Sequence, residues 1–236
     1  MKRELLRALC SGLAFAAALA GVAPSRAGDS RPELVPVKRS QLCITEGALQ
    51  TLPDARLSVA VAKLRAVLAA DGPQAIEARF TYLGPTTEIA PLHSGAVRQQ
   101  FGLKLRAADG CNLVYAMWRF APEPSLIVSV KRNPGLHASR ACGTAGYRNV
   151  TPSRATPVEA PQIGTTHRLA AALDGAALHV VIDGRPVWDG ELGPEALDMD
   201  GPVGVRSDNA RLEVALFAPP PTGQGVCPNS GDAGEE

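Results

Sequence analysis

Residues 166–187 read THRLAAALDGAALHVVIDGRPV, and the fold turns on how this stretch is parsed. Leu178, Val180 and Ile182 alternate with the polar His179 and Asp183, a period of two that no amphipathic helix shows. Asp174-Gly175 sits between two such runs, where a tight turn needs a residue tolerant of positive φ, so the stretch predicts a β-hairpin. Alternation continues on either side. Ile76, Ala78, Phe80 and Tyr82 oppose Glu77, Arg79 and Thr81 in the run 75–82, and Leu212, Val214 and Leu216 oppose Arg211, Glu213 and Ala215. In residues 96–106, Val97, Phe101, Leu103 and Leu105 oppose Arg98, Gln100, Lys104 and Arg106. Residues 112–120 and 125–131 are rich in strand-forming side chains, with Val128 and Val130 on one face. Each run has one apolar side for a core and one polar side, the pattern of half-buried antiparallel strands.

Turn signals divide the runs: Gly84-Pro85, Asp109-Gly110, Pro122-Glu123-Pro124, Asn133-Pro134-Gly135, Asp183-Gly184 and Gly201-Pro202. Many short strands with such punctuation predict an all-β sandwich or barrel. Residues 54–70 can be read two ways. Leu57, Val61, Leu64 and Leu68 after Pro53-Asp54 have helical spacing, whereas 58–61 and 65–68 read as two strands around Ala62-Lys63. In an all-β chain the two strands are the expected reading.

The first residues bear on compartment. Lys2, Arg3 and Arg7 precede an apolar run, Leu9 to Ala23, and Ser25 and Ala27 place small residues at −3 and −1 of a cleavage after Ala27. This is the order of a secretory signal, and the run falls short of the roughly 20 residues of a spanning helix. Cys10 lies too early, with Arg7 before it, for a lipoprotein site. Cleavage removes Lys2, Arg3, Arg7, Arg26 and Glu4, so the chain's 24 basic and 23 acidic residues become 20 and 22. Such a balance gives no expectation of nucleic-acid binding.

Cys43, Cys111, Cys142 and Cys227 remain, an even number expected to form disulfides in an exported protein. Three connectivities are open. The expected one joins Cys111 to Cys142, pinning a long loop to a strand, and Cys43 to Cys227, tying the ends together. The expected organisation is a signal peptide at 1–27, an extension at 28–50, one sandwich domain at 51–218 and a Pro/Gly-rich tail at 219–236.

His167 opening a strand, then 178–187 ending in Asp183-Gly184, then Gly201-Pro202-Val203-Gly204-Val205-Arg206-Ser207-Asp208-Asn209 and a closing strand together resemble a laminin G-like domain. The resemblance is to the concanavalin A-like lectin/glucanase superfamily, over about residues 166–217, and is architectural over 56–150. It implies an antiparallel two-sheet jelly roll.

The glucanase branch of that superfamily carries Glu-x-Asp-x-Glu, whose alternation aims carboxylates at one sugar bond. That motif is missing. Asp198-Met199-Asp200 is the nearest arrangement, and Pro194 with Gly201-Pro202 makes it a turn; Glu123 sits at a hairpin tip. There is no Gly-x-Ser-x-Gly elbow. His167 reads as a structural hydrogen bonder, His93 and His137 as loop residues, and His179 as an exposed one. Asp198, Asp200, Asp208 and Asn209 supply oxygens of the type calcium uses, but no metal or cofactor is expected from so common a pattern. Asn149-Val150-Thr151 matches a glycosylation acceptor with Pro152 directly after it and carries no weight.

The polar set of most interest is Gln100 and Lys104, beside Arg98 and Arg106, with Tyr115 and Arg119 on the next strand and Lys131 on the one after. Amides, guanidinium groups and an aromatic face suit sugar hydroxyls and ring C–H faces. The bland alternative is a solvated sheet face kept soluble by Lys and Arg. Trp118 is expected in the core and Trp188 at an edge. The leading expectation is an exported, noncatalytic binding module for carbohydrate or a cell-envelope polymer. The alternatives are a glycoside hydrolase with an atypical acidic site and a structural envelope protein.

Overall fold

The structure, a computed structural model, describes residues 32–70, 74–222 and 227. The expected signal peptide at 1–27 and most of the expected tail lie outside the described residues. Two antiparallel sheets face each other. One runs, edge to edge, Arg154–Ala155, Arg185–Glu191, Ala177–Ile182, Thr166–Asp174, Ala75–Pro85, Ala210–Ala218, Leu57–Val59 and Gln50–Thr51, with Val35–Pro36 also paired to Ala210–Ala218. The other runs Tyr147–Asn149, Ser125–Lys131, Leu113–Ala121, Gln99–Leu105, Gly204–Asp208, Lys63–Leu68 and Leu42–Glu46. This is the all-β, two-sheet jelly roll.

The alternating runs fall as their patterns require. Ile76, Ala78, Phe80 and Tyr82 from one sheet meet Phe101, Leu103, Leu105, Val114, Ala116, Trp118, Phe120, Val128 and Val130 from the other. Asp174 pairs with Ala177 across the hairpin, with Gly175 at φ 58°. Phe80 lies 4.9 Å from Phe101 and 5.7 Å from Trp118, ring centre to ring centre. The Trp118 indole N–H donates to the Glu159 carbonyl at 2.9 Å, which satisfies its one polar atom in the core.

Residues 54–70 are two strands, and they belong to different sheets: Leu57–Val59 in the nine-stranded one, Lys63–Leu68 in the seven-stranded one. The chain's last crossing between the sheets among the described residues is at Asn209, which has φ 52° and separates Gly204–Asp208 from Ala210–Ala218. The two crossings are joined directly, since the Asn209 backbone N–H donates to the Ala62 carbonyl at 2.7 Å.

Three details depart from the sequence reading. Strands begin before residue 51: Val35–Pro36 pairs with Ala210–Ala218 beyond the stretch that Leu57–Val59 covers, and Leu42–Glu46 pairs with Lys63–Leu68 as the edge strand of its sheet. Trp188 is a core residue, 3% exposed, with its ring packed over the Cα of Gly190, where a Cβ would lie 2.6 Å from the indole. Val97 stays 51% exposed, because the register shifts at Gln99 and the strand proper starts there. Cys43 pairs with Cys227 and Cys111 with Cys142, with Cα separations of 5.4 and 5.9 Å.

Candidate functional site

Each strand of the seven-stranded sheet that gives its apolar side to the core gives its other side to the outer face. On Gln99–Leu105 that side carries Gln100, Gly102 and Lys104; on Leu113–Ala121 it carries Tyr115, Met117 and Arg119. The register places Gln100 opposite Arg119, Gly102 opposite Met117 and Lys104 opposite Tyr115. Ser129 lies opposite Tyr115 on the far side, and Lys131 opposite both Leu113 and Tyr147. On the other flank, Asp208 pairs with Gln100 and Lys63, and Arg206 with Gly102 and Arg65. Gly102 is required for close packing: a Cβ there would lie 2.5 Å from Met117 Sδ and from the Ala116 carbonyl oxygen.

This face holds a cleft of about 320 Å³. Gln100, Tyr115, Arg119 and Lys131 line it, together with Glu46, Arg65, Arg98, Tyr147 and Arg206; the loops of His93-Ser94 and Gly143-Thr144 contribute to its wall. Lys104 shares the face but is 4% exposed and lies outside the lining. Arg106 leaves the group. It has φ 48°, and its guanidinium donates to the Leu197 and Met199 carbonyls.

Asp208 organises the cleft. Its carboxylate is fully buried and accepts from Arg65 Nη2 at 2.6 Å, Gln100 Nε2 at 2.7 Å and Arg206 Nε at 2.8 Å. Burial alone would raise its pKa. The two guanidinium groups and the Gln100 hydrogen bond outweigh that and hold it at about 2. Arg206 is likewise opposed by burial, yet Asp208 and the tyrosines keep its pKa above the ordinary arginine value. Tyr115, buried, is pushed up to about 12 and stays a neutral phenol. Its ring stacks with Tyr147 at 6.1 Å and 17°, Arg206 lies over its face at 5.0 Å, and Lys131 lies 5.2 Å over Tyr147. Arg206 Nη1 also donates to the Tyr147 hydroxyl at 3.2 Å. The result is a braced aromatic pair whose outer member, Tyr147, is 41% exposed.

Lys104 is the expensive residue. Burial, then repulsion from Arg65 and Arg206, drops its pKa to about 7, and no hydrogen bond or ion pair joins it to another described residue. Lys104→Met is therefore expected to stabilise the fold by about 2 kcal/mol. The gain should be largest below pH 7, where the folded state must bury the charge. It should shrink as pH rises from 7 toward 10, which urea denaturation across that range will show.

The remaining candidates are elsewhere or differently employed. Asn209 uses its side chain to hold the loop above the cleft: Oδ1 accepts from Ala90 N–H, and Nδ2 donates to the Ala90 and Arg98 carbonyls. With Asp208 bound by arginines, the four oxygen-bearing residues do not form a calcium set; no cluster of three or more metal-ligating side chains occurs among the described residues. Asp198 and Asp200 flank the buried Met199 in a loop after the Pro194–Leu197 turn of helix. His167 bonds Asp183 and packs edge-on against Trp118. His179 bonds Asp189, and His137 bonds Asp109.

Arg65, Tyr147, Arg206 and Asp208 are the site residues that sequence reading missed. Period two in Lys63-x-Arg65 and Arg206-x-Asp208 carries a signal for the flanking strands. Asp208-Asn209 reads locally as a turn, and only pairing shows Asp208 to be the last strand residue.

No family model matches the chain, and no curated protein matches it. Solved structures do. A carbohydrate-binding module, CBM66 from Bacillus subtilis, matches with TM-score 0.51 at 12% identity, covering 74% of this chain and 91% of that one. A Bacillus subtilis protein of unknown function with a galectin-like fold matches with TM-score 0.45 at 13% identity, covering 77% and 91%. The apo Crh5 transglycosylase matches with TM-score 0.47 at 14% identity, covering 81% and 86%. At these identities the likeness is one of fold. Strand order, sheet pairing and the CBM66 match together give the chain an antiparallel two-sheet jelly-roll fold.

Proposed function

We propose that the protein is an exported, noncatalytic carbohydrate-binding module, and that the cleft on the outer face of the seven-stranded sheet is its binding site. The observation that carries this reading is convergence. Gln100, Tyr115, Arg119 and Lys131, from three neighbouring strands, line one cleft with a partly exposed tyrosine at its wall. Planar amide and guanidinium donors beside an aromatic face match the alternating hydroxyls and C–H faces of a sugar ring. The likeness to CBM66 agrees with this. The two disulfides suit an oxidising compartment.

Binding is favoured over bond cleavage by the state of the carboxylates. Acid–base cleavage of a glycosidic bond wants two carboxyl groups free to act on opposite sides of it. Asp208 is held by three donors, which leaves Glu46 as the carboxylate in the lining.

A glycan array followed by calorimetry on cell-wall polymers tests the reading, and failure to bind any glycan overturns it. Tyr147→Ala is expected to weaken glycan binding about 5-fold through loss of ring stacking worth about 1 kcal/mol. Its melting temperature should hold, because Tyr147 lies at a sheet edge.

A further inference from the structure

We infer that the ligand is an acidic carbohydrate, whose carboxylate or sulfate groups are received by the Arg98–Arg119 end of the cleft. This rests on the binding-module reading and specifies its ligand class. Lys63, Arg65, Arg98, Arg119, Lys131 and Arg206 line the cleft, against Glu46 as the carboxylate in the lining. The mature chain as a whole carries slightly more acid than base, so positive charge has been gathered onto this face.

Solubility does not account for these cations. A solubilising lysine or arginine keeps its head group in water. Here Lys131 is 1% exposed, and the Arg65 and Arg206 side chains are 13% and 12% exposed. Charges withdrawn from water at a cleft mark a site built for a charged partner.

The charge is also unevenly answered. Arg65 and Arg206 share Asp208, and Arg65 has Glu46 at 3.6 Å. Arg98 and Arg119 form no ion pair with any described residue, and they lie near enough to repel each other. Glu123, the carboxylate that attracts Arg119, makes no ion pair with it. Arg119 Nε is buried without a hydrogen-bond partner, a donor that the fold leaves unanswered. The Arg98 backbone is fixed by Asn209 Nδ2 at 2.9 Å. Two guanidinium forks at one end of a polar cleft suit a planar carboxylate or a sulfate, while Tyr147 remains for the sugar ring.

The test is calorimetry of the disulfide-bonded protein with oligogalacturonate, its neutral methyl ester, chondroitin sulfate, desulfated methyl-esterified chondroitin and the neutral fructan levan, with polyglutamate and oligothymidylate as non-sugar polyanions. The acidic glycans are expected to bind at least about 10-fold more tightly than their neutral counterparts in 50 mM salt, an advantage that shrinks at 500 mM. The relative affinity of oligogalacturonate and chondroitin sulfate identifies carboxylate or sulfate as the preferred group. Arg119→Gln and, independently, Arg98→Gln should each remove about 10-fold from acidic-glycan affinity, a larger loss than either causes for the neutral ester. Two outcomes overturn the inference while leaving the binding module intact: equal or tighter binding of neutral glycans, or acidic-glycan binding indifferent to both substitutions. Polyglutamate or oligothymidylate binding as tightly as the best acidic glycan also overturns it. Absence of binding to every glycan, acidic and neutral, removes the module reading itself.

Discussion

Asp208→Ala is expected to destabilise the protein by about 3–5 kcal/mol, the scale for removing one partner of a buried ionic group and leaving the others unanswered. Arg65 and Arg206 come from the two strands flanking one another, and both point their guanidinium groups at this carboxylate. Without it, two cations remain close together, and the Gln100 amide loses its acceptor. The same carboxylate sets an acid limit. Its folded pKa of about 2 lies well below the ordinary aspartate value, so its contribution is complete above about pH 4. It is lost as pH falls through 4 toward 2, and amounts to about 2 kcal/mol. Urea denaturation between pH 2 and 6 should show this slope in the native protein and its loss in Asp208→Ala. A variant as stable as the parent at pH 7 would show that the arginines are held by other means. Glycan affinity should fall as well, because Arg206 braces the Tyr115–Tyr147 pair.

Phe80→Ala should have a comparable effect by a different route. Phe80 is fully buried on the inner face of the nine-stranded sheet and meets Phe101, Trp118 and Phe120 of the opposite sheet, with ring centres 4.9 to 6.1 Å apart. Truncation removes the apolar contact and leaves a cavity that stiff sheets cannot close, a loss of about 3–5 kcal/mol. For a domain of this size the melting temperature should drop by about 10 °C, measurable by calorimetry. The outer face should feel it too. Phe101 and Trp118 alternate with Gln100 and Arg119 along their strands, so a shifted core ring moves the cleft. A drop of only 1 or 2 °C would mean that the two sheets are not held together at this layer.

Much of this was open to direct reading. Alternation in 75–82, 96–106 and 178–182 says which side of each strand meets the core, and so which side carries Gln100. That information is local: the pleat puts neighbouring residues on opposite faces whatever lies beyond. The Asp174-Gly175 hairpin is local for the same reason, since turn geometry depends on the backbone freedom of a few residues.

The sequence by itself therefore determined the all-β class, the strand faces and the polar composition of the candidate surface. Tertiary structure alone decided which strands became neighbours. It put Leu57–Val59 and Lys63–Leu68 in different sheets, recruited residues 35–46 into the sandwich and carried Arg65, Arg206 and Asp208 to the side of Gln100. It also left Lys104 buried, although in sequence it looks like any other outward lysine. The physical reason is that strand pairing joins residues more than 100 positions apart, as Gln100 and Asp208 are. Burial and charge coupling follow from that pairing, which the period-two pattern of a single strand does not encode.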